Sequence, residues 1–397
     1  MTNLDDLVAP GGVTEFLDTT WGHRLGRYTG EDGRFAHLMP WTAFNELLRR
    51  HRLEEPRLRL ARDGAGVRQE EYTTLVTPRR GAPYHRIDQG ALAERIRDGA
   101  TLVIDSIDEL YGPVDELAAD LEAVLRERVQ VNCYFSLRPT HGFVTHWDDH
   151  DVLAVQVHGR KHWRVFGPTR PHPTRRDVEV PTQPTGPPAH DFELTAGDVL
   201  HIPRGWWHDA NALDGPSLHL TFGVNRATGT DLLGWVSDEL RRHELARADL
   251  PRFADAETQR QHVKELAELT AAIFAQPDAL QRFLADRDAT AVPRAWGALP
   301  FSVHDPLPAH GQFWVRLNAP RAVLDESGGV VELSADGKRY TFAAAAAPIL
   351  RVLVTGRSTA LAELAAAAPA LPESTVRGLC SELLRLGAAT AGVLGPG

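Results

Sequence analysis

Two cysteines, Cys133 and Cys380, are all that 397 residues contain. That is too few for a disulfide framework and fits a reducing compartment. Basic residues are short as well: 43 Lys and Arg stand against 53 Asp and Glu, for a formal net charge of −10. A balance this acidic argues against general nucleic-acid affinity and is compatible with basic protein partners. No apolar run approaches the length of a membrane span, and the opening residues, with Asp5, Asp6 and Pro10, do not read as a signal peptide. Together these absences predict a cytoplasmic protein. The rest of the composition is that of a soluble globular chain, 43% hydrophobic and 24% charged, long enough for two or three domains.

What is there centres on Thr145-His146-Trp147-Asp148-Asp149-His150-Asp151-Val152. His146 and Asp148 are two positions apart, so on a β-strand both side chains point to one face. An imidazole beside a carboxylate is two thirds of a metal site. A candidate for the remaining third lies in Ile202-Pro203-Arg204-Gly205-Trp206-Trp207-His208, where a strand meets a Pro/Gly turn that delivers His208 just beyond it. Two histidines and one carboxylate on one face of an octahedron leave the other positions open, the facial triad of non-haem Fe(II) oxygenases. By itself a His-x-Asp pair says little in a chain with 18 histidines and 53 acidic residues.

Its surroundings say more. An apolar run from Val152 to Val157 leads through a glycine turn to Lys161-His162-Trp163-Arg164-Val165-Phe166. Phe192 to Thr195, the Gly197-Asp198 turn, Val199 to Ile202 and the His208 turn follow. Short strands punctuated this way predict a small antiparallel barrel. Asn132 and Tyr134 share a face ahead of the metal strand, although a buried tyrosine seeking any partner would look the same. His219 and Thr221 alternate with Leu218, Leu220 and Phe222, one face polar and one apolar. Lys161 can be read as a surface lysine, but its alternation with Trp163 and Val165 puts it inside the barrel. His150, His158, His162, His172, His190 and His201 complete no motif and read as surface or core histidines.

The ordered pattern Asn132-x-Tyr134, His146-x-Asp148-Asp149-x-x-Val152, Gly159-x-Lys161-x-Trp163, Gly197-Asp198-x-x-x-Ile202-Pro203-x-Gly205-x-x-His208 and Leu218-His219-Leu220-Thr221 resembles the Jumonji-C, or cupin-4, type of 2-oxoglutarate oxygenase. Within that type it looks most like the ribosomal oxygenases, the bacterial and nucleolar protein hydroxylases. The resemblance implies an α+β protein with a double-stranded β-helix, the jelly-roll or cupin core. It implies Fe(II) on His146, Asp148 and His208, and Lys161 paired with the distal carboxylate of 2-oxoglutarate. Asn132, Tyr134, His219 and Thr221 are further candidates for the cosubstrate pocket. Chemistry supports the set, because Fe(II) needs open positions for a bidentate 2-oxo acid and O2. A buried carboxylate in turn needs a cation.

Taken in order, residues 1–130 form an N-terminal extension over the barrel, with helices expected at Gly12–Leu17, Trp41–Arg50 and Pro113–Val129 and a buried strand at Thr101–Ile104. Residues 131–226 are the catalytic core. Val178 to Ala189 reads as a loop near the barrel mouth. Residues 227–305 carry helical stripes: Leu232, Leu233, Val236 and Leu240; then Val263, Leu266, Leu269 and Ile273; then Leu280, Phe283 and Leu284. The resemblance makes these a dimerisation region and the protein a homodimer; simple packing onto the barrel would give the same pattern. Residues 306–397 resemble a winged-helix domain, but 8 basic against 7 acidic residues give it no basic footprint. Direct nucleic-acid binding is therefore not expected.

These readings predict an oxygenase that hydroxylates a side chain of a protein or peptide, possible targets including a basic ribosomal protein. Asp149 and Asp151 would suit an Arg- or Lys-rich target. The alternatives are a tailoring hydroxylase of a peptide natural product or free amino acid, and a non-catalytic metal-binding cupin acting as a regulator.

Overall fold

The computed structural model describes residues 2–140, 142–213, 215–303, 307 and 312–393, so the expected boundary at 305/306 lies outside the described residues. The chain forms two compact units, Met1–Arg226 and Ala227–Gly397.

The first unit opens with helices α1 (Leu4–Leu7) and α2 (Gly12–Thr19), strand β1 (Gly26–Tyr28) and helix α3 (Trp41–Arg50). Strands β2 (Leu58–Arg62) and β3 (Ala65–Val67), the hairpin β4 (Thr73–Val76) and β5 (Tyr84–Ile87), helix α4 (Gln89–Arg97), strand β6 (Thr101–Ile104) and helix α5 (Gly112–Leu125) follow. From there it is all strand: β7 (Arg128–Ser136), β8 (Asp151–His158), β9 (Arg160–Pro168), β10 (His190–Thr195), β11 (Val199–Ile202), β12 (Trp206–Ala212) and β13 (Ser217–Asn225). Helix α5 stops four residues short of the expected Val129. Arg126 turns left-handed at φ 57°, and its N–H closes the helix on Glu122 O.

Eight strands pair in the order β1-β11-β8-β13-β7-β6-β2-β3, and a second sheet runs β10-β9-β12. The two sheets make the jelly roll, with the N-terminal strands β1, β6, β2 and β3 joined edge-on to the larger one. Side-chain alternation gives that sheet two unlike faces. Val129, Val131, Cys133, Leu218, Leu220, Phe222 and Val224 pack with Phe16, Phe44 and Leu117 of the helices in the main core. The opposite face meets the smaller sheet over Val152, Ala154, Trp163, Val165 and Leu200. Beyond this second core, the space between the sheets stays open.

The second unit starts with helices α6 (Gly229–Leu240), α7 (Glu244–Arg247), α8 (Ala256–Phe274) and α9 (Ala279–Ala289). Strands β14 (Phe313–Leu317), β15 (Val323–Asp325), β16 (Val330–Ala335) and β17 (Lys338–Ala343) follow. The chain continues through helix α10 (Ala347–Leu353), strand β18 (Thr359–Ala360), helices α11 (Leu361–Ala367) and α12 (Glu373–Arg385) and strand β19 (Ala389–Val393). Two three-stranded sheets, β18-β14-β19 and β15-β16-β17, enclose a core that includes Leu317, Leu333, Leu350, Leu364 and Leu383. Asp336 and Gly337, between β16 and β17, both have positive φ, as a two-residue Asp-Gly hairpin turn requires. The sequence did not signal β15, β18 or β19, which are short and lack a long alternation. No helix among the described residues is long and apolar enough to cross a membrane.

Candidate metal centre and its cavity

Contrary to expectation, His146 and Asp148 do not lie in a regular strand. They sit in an irregular segment ahead of β8, joined to β12 by one bridge between His146 and His208. His146 N donates to His208 O at 3.0 Å and His208 N to His146 O at 2.7 Å. Asp148 spends its backbone on the turn instead of a ladder: its carbonyl accepts from Gly205 N at 2.9 Å. A bulge between Trp207 and His208 re-aims the second histidine inward.

The imidazoles are oriented alike. Nδ1 of His146 lies 2.9 Å from Val144 O, and Nδ1 of His208 lies 2.9 Å from Trp206 O. A carbonyl only accepts, so each Nδ1 carries the proton and each Nε2 keeps a lone pair for a metal. Nε2 of His208 is 3.5 Å from Asp148 Oδ2. One ligand atom from each of the three residues lies within 4.8 Å of the others. Burial, helped by the nearby His146, pushes His208 down to about 4 and keeps it neutral. Two imidazoles and one carboxylate, held this close, fit the donor set of an Fe(II) facial triad.

Lys161 points inward from β9 and is 3% exposed. Among the described residues no carboxylate lies within ion-pair reach; its Nζ donates to Nδ1 of His219 at 3.1 Å. Desolvation drops the Lys161 ammonium to about 7. Burial, and then Lys161 itself, hold His219 well below the ordinary histidine range. Tyr134 stacks on His219 with centroids 4.8 Å apart, and burial raises its hydroxyl to about 12. A solitary buried ammonium is costly unless an anion joins it, so the site fits a carboxylate-bearing ligand.

Ammonium and triad open on one cavity of about 330 Å³. All eight residues singled out in the sequence line it: Asn132, Tyr134, His146, Asp148, Lys161, His208, His219 and Thr221. Sequence reasoning missed Arg59, Thr101, Gln130, Phe143, His150 and Asn225. Gln130 and Asn225 continue the alternations through Asn132 and Thr221 and could have been found that way. Arg59 and Thr101 arrive on β2 and β6 by long-range pairing that leaves no local signal. Arg59 Nε is held by Asp105 Oδ2 at 3.0 Å. His150, set aside as a distractor, lies across Gly223, where a Cβ would come within 2.8 Å of its ring. The other five set-aside histidines do not line the cavity.

Asp151 is turned inward. It is 2% exposed and accepts from Arg204 N at 3.0 Å, so it braces the His208 turn and is withdrawn from any basic target.

Residues 112–232 match the JmjC domain family. The chain therefore carries a JmjC domain, and its homologues are named ribosomal oxygenase and NO66. Ribosomal oxygenase 2 of Rattus norvegicus is 35% identical over 153 residues, 36% of this chain and 32% of the relative. The bifunctional lysine-specific demethylase and histidyl-hydroxylase NO66 of Drosophila persimilis is 27% identical over 224 residues, 56% and 31% of the two chains. The chain thus spans about a third of the length of these curated relatives. Among solved structures, Escherichia coli YcfD superposes with TM-score 0.62 at 18% identity, covering 96% of this chain and 98% of that one. A form of YcfD described as a ribosomal oxygenase in complex with cobalt and 2-oxoglutarate superposes with TM-score 0.59 at 18% identity, covering 95% of this chain and 97% of that one. At that identity the likeness establishes the fold.

Proposed function

We propose that this chain is an Fe(II)- and 2-oxoglutarate-dependent oxygenase that hydroxylates a side chain of a protein or peptide, with a ribosomal protein as the target class. The observation that carries the reading is the buried Lys161 ammonium, without a carboxylate partner among the described residues, in the same cavity as the His146, Asp148, His208 triad. Nε2 of His146, the Asp148 carboxylate and Nε2 of His208 would hold the metal. When bound, Fe(II) would activate O2, the oxidant, one oxygen atom going into the carboxylate formed as the 2-oxo acid loses CO2 and the other into the substrate C–H bond. The chain's own part is to bind, orient and exclude water. Lys161 takes the distal carboxylate, and His219, kept neutral, accepts one ammonium N–H and so aims the others. Tyr134 closes the side of that pocket by stacking on His219. Asn132 and Thr221, on the same inner face, offer further hydrogen bonds.

The names of the homologues and of the YcfD complex support a ribosomal target. A tailoring hydroxylase of a peptide or free amino acid would use the same site. A non-catalytic cupin has no need of a buried ammonium, and Lys161 weighs against it.

We also read 1–130, 131–226, 227–305 and 306–397 as extension, catalytic core, dimerisation region and winged-helix-like domain. Val263, Leu233 and Leu280 are 64%, 56% and 52% exposed in the single chain, which supports a second copy covering α6, α8 and α9. Two measurements test the central reading: cosubstrate decarboxylation by the purified protein, and mass spectrometry of ribosomal proteins from cells with and without the gene. Loss of a +16 Da mark without the gene supports it. A protein that neither binds Fe(II) nor turns over 2-oxoglutarate refutes it.

A further inference from the structure

The triad comes from two pieces of chain, His146 and Asp148 from an irregular segment and His208 from β12. The two backbone hydrogen bonds of one bridge, with Gly205 N to Asp148 O at 2.9 Å, are little to fix ligand positions that a metal needs within about 0.2 Å. The next cross-strand pair supplies what is missing. In the register set by His146 opposite His208, Thr145 stands opposite Asp209, and alternation turns both side chains away from the cavity. Thr145 Oγ1 donates to Asp209 Oδ2 at 2.7 Å. The Arg164 guanidinium closes on the same carboxylate with Nε to Oδ1 at 2.8 Å and Nη2 to Oδ2 at 2.9 Å. Asp209 is 1% exposed although it faces the outside of the smaller sheet. Its carboxylate therefore ties three segments together: the His146 segment, the His208 strand and β9, which also carries Lys161. The hydrogen bond to Asp209 raises the Arg164 pKa, so the guanidinium stays charged.

We propose that Thr145, Asp209 and Arg164 form a clamp behind the metal centre that sets the spacing of His146 and His208, and that Thr145 and Asp209 are positioning residues for the metal. The clamp rests on the metal site proposed above. It touches neither metal nor substrate; it acts through the backbone of the residues next to it, the way outer-shell partners orient ligands. Arg164 adds a bidentate fork that holds the carboxylate in one rotamer.

The test is Co(II) affinity, read from the visible absorption of the full-length protein titrated with the ion, so that it does not depend on turnover. Asp209→Asn should weaken Co(II) binding by about 10–100-fold, and Thr145→Val, which removes one hydroxyl at nearly constant shape, by about tenfold. Thr145→Ser restores the hydroxyl and should bind within about twofold of the parent on the same scale. Glu193→Gln breaks an exposed pair with Arg160 (3.2 Å) on the neighbouring strand and should change nothing. If Asp209→Asn does not fold, the valine and serine variants decide. Co(II) affinity unchanged in folded Thr145→Val, or equally poor in Thr145→Val and Thr145→Ser, overturns the clamp. His146→Ala separates this failure from that of the metal site: if it too binds Co(II) like the parent, the site itself is wrong and the clamp falls with it.

Discussion

The inner face of β7, β9 and β13 hides charge, whereas the helices of the second unit leave apolar surface bare. Lys161 is 3% exposed with no carboxylate beside it among the described residues, while Val263, near the middle of α8, is 64% exposed and Leu280 on α9 is 52%. Either arrangement is unfavourable for a finished surface in water: a buried lone cation is desolvated without compensation, and a row of exposed aliphatics orders solvent. Each makes sense as half of an interaction. On the proposed reading, the polar site of the first unit would take a small anion, and the exposed aliphatics of the second would meet a second copy of the chain. The difference teaches that residues which look misplaced for their environment point to what is absent, and that their polarity states its chemistry.

The largest effect should come from the triad. His146→Ala or Asp148→Ala should abolish Fe(II) binding and turnover while circular dichroism stays that of the parent. A variant that keeps full activity would end the metal reading.

Lys161→Ala comes next, since it removes the partner of a buried carboxylate. That costs about 3–5 kcal/mol, or about two to four decades in cosubstrate affinity, with metal binding nearly unchanged. Lys161→Arg should rescue in part through its fork, limited by its volume. Uncoupled decarboxylation measured against 2-oxoglutarate concentration decides it. If Lys161→Ala keeps the parent's apparent affinity, the anchor is elsewhere. His219 and Arg59, both on the cavity wall, become the candidates; Arg138, another basic residue of the core, is exposed and does not line it.

A smaller effect is the pH dependence. Burial lowers Lys161 from 10.5 to about 7, so above that value the empty pocket holds a neutral amine, and binding an anion must take up a proton. Cosubstrate affinity should fall as pH rises through about 7, approaching tenfold per unit, and Lys161→Arg should flatten the slope. For the empty protein the sign is opposite. Between about 7 and 10.5 the unfolded chain holds more protons at this residue, so its contribution to stability rises with pH. Calorimetric titration across that range reads the binding slope directly; a flat profile in the parent would show that Lys161 stays charged.

The smallest effect on the folded monomer should come from the apolar stripe. Light scattering at micromolar protein should report twice 43.7 kDa. Val263→Glu with Leu280→Glu should halve the mass and shift single-chain stability by only about 0.5 kcal/mol per site. A parent that runs as a clean monomer would return these residues to the ordinary scatter of surface aliphatics.

How much was legible in the sequence follows the same division. The positions on β7, β9 and β13 could be read because a period of two sorts inward from outward once one member is placed; Lys161, Trp163 and Val165 show it. The irregular path of His146 and Asp148 could not, because a strand and an extended loop put both side chains to one side. Arg59 depends on β2 joining β6, a pairing with no trace in the local pattern. The helix end at Leu125 was missed because Arg126, not glycine, takes the left-handed turn. The stripes on α8 and α9 show which residues are apolar, but not whether the same chain covers them.

The strand order of the larger sheet has a consequence in time. Its two edges, β1 and β3, both come from the first 70 residues, yet β1 pairs with β11, Gly26 opposite His201. During synthesis at about 5–20 residues per second, that edge waits many seconds for its partner with its backbone groups unpaired. The jelly roll cannot close until β13 has been inserted between β7 and β8. Loop-closure entropy must be met before any of these contacts forms, so this unit should fold slowly for its size, and its early strands are the stretch that most needs shielding on the ribosome.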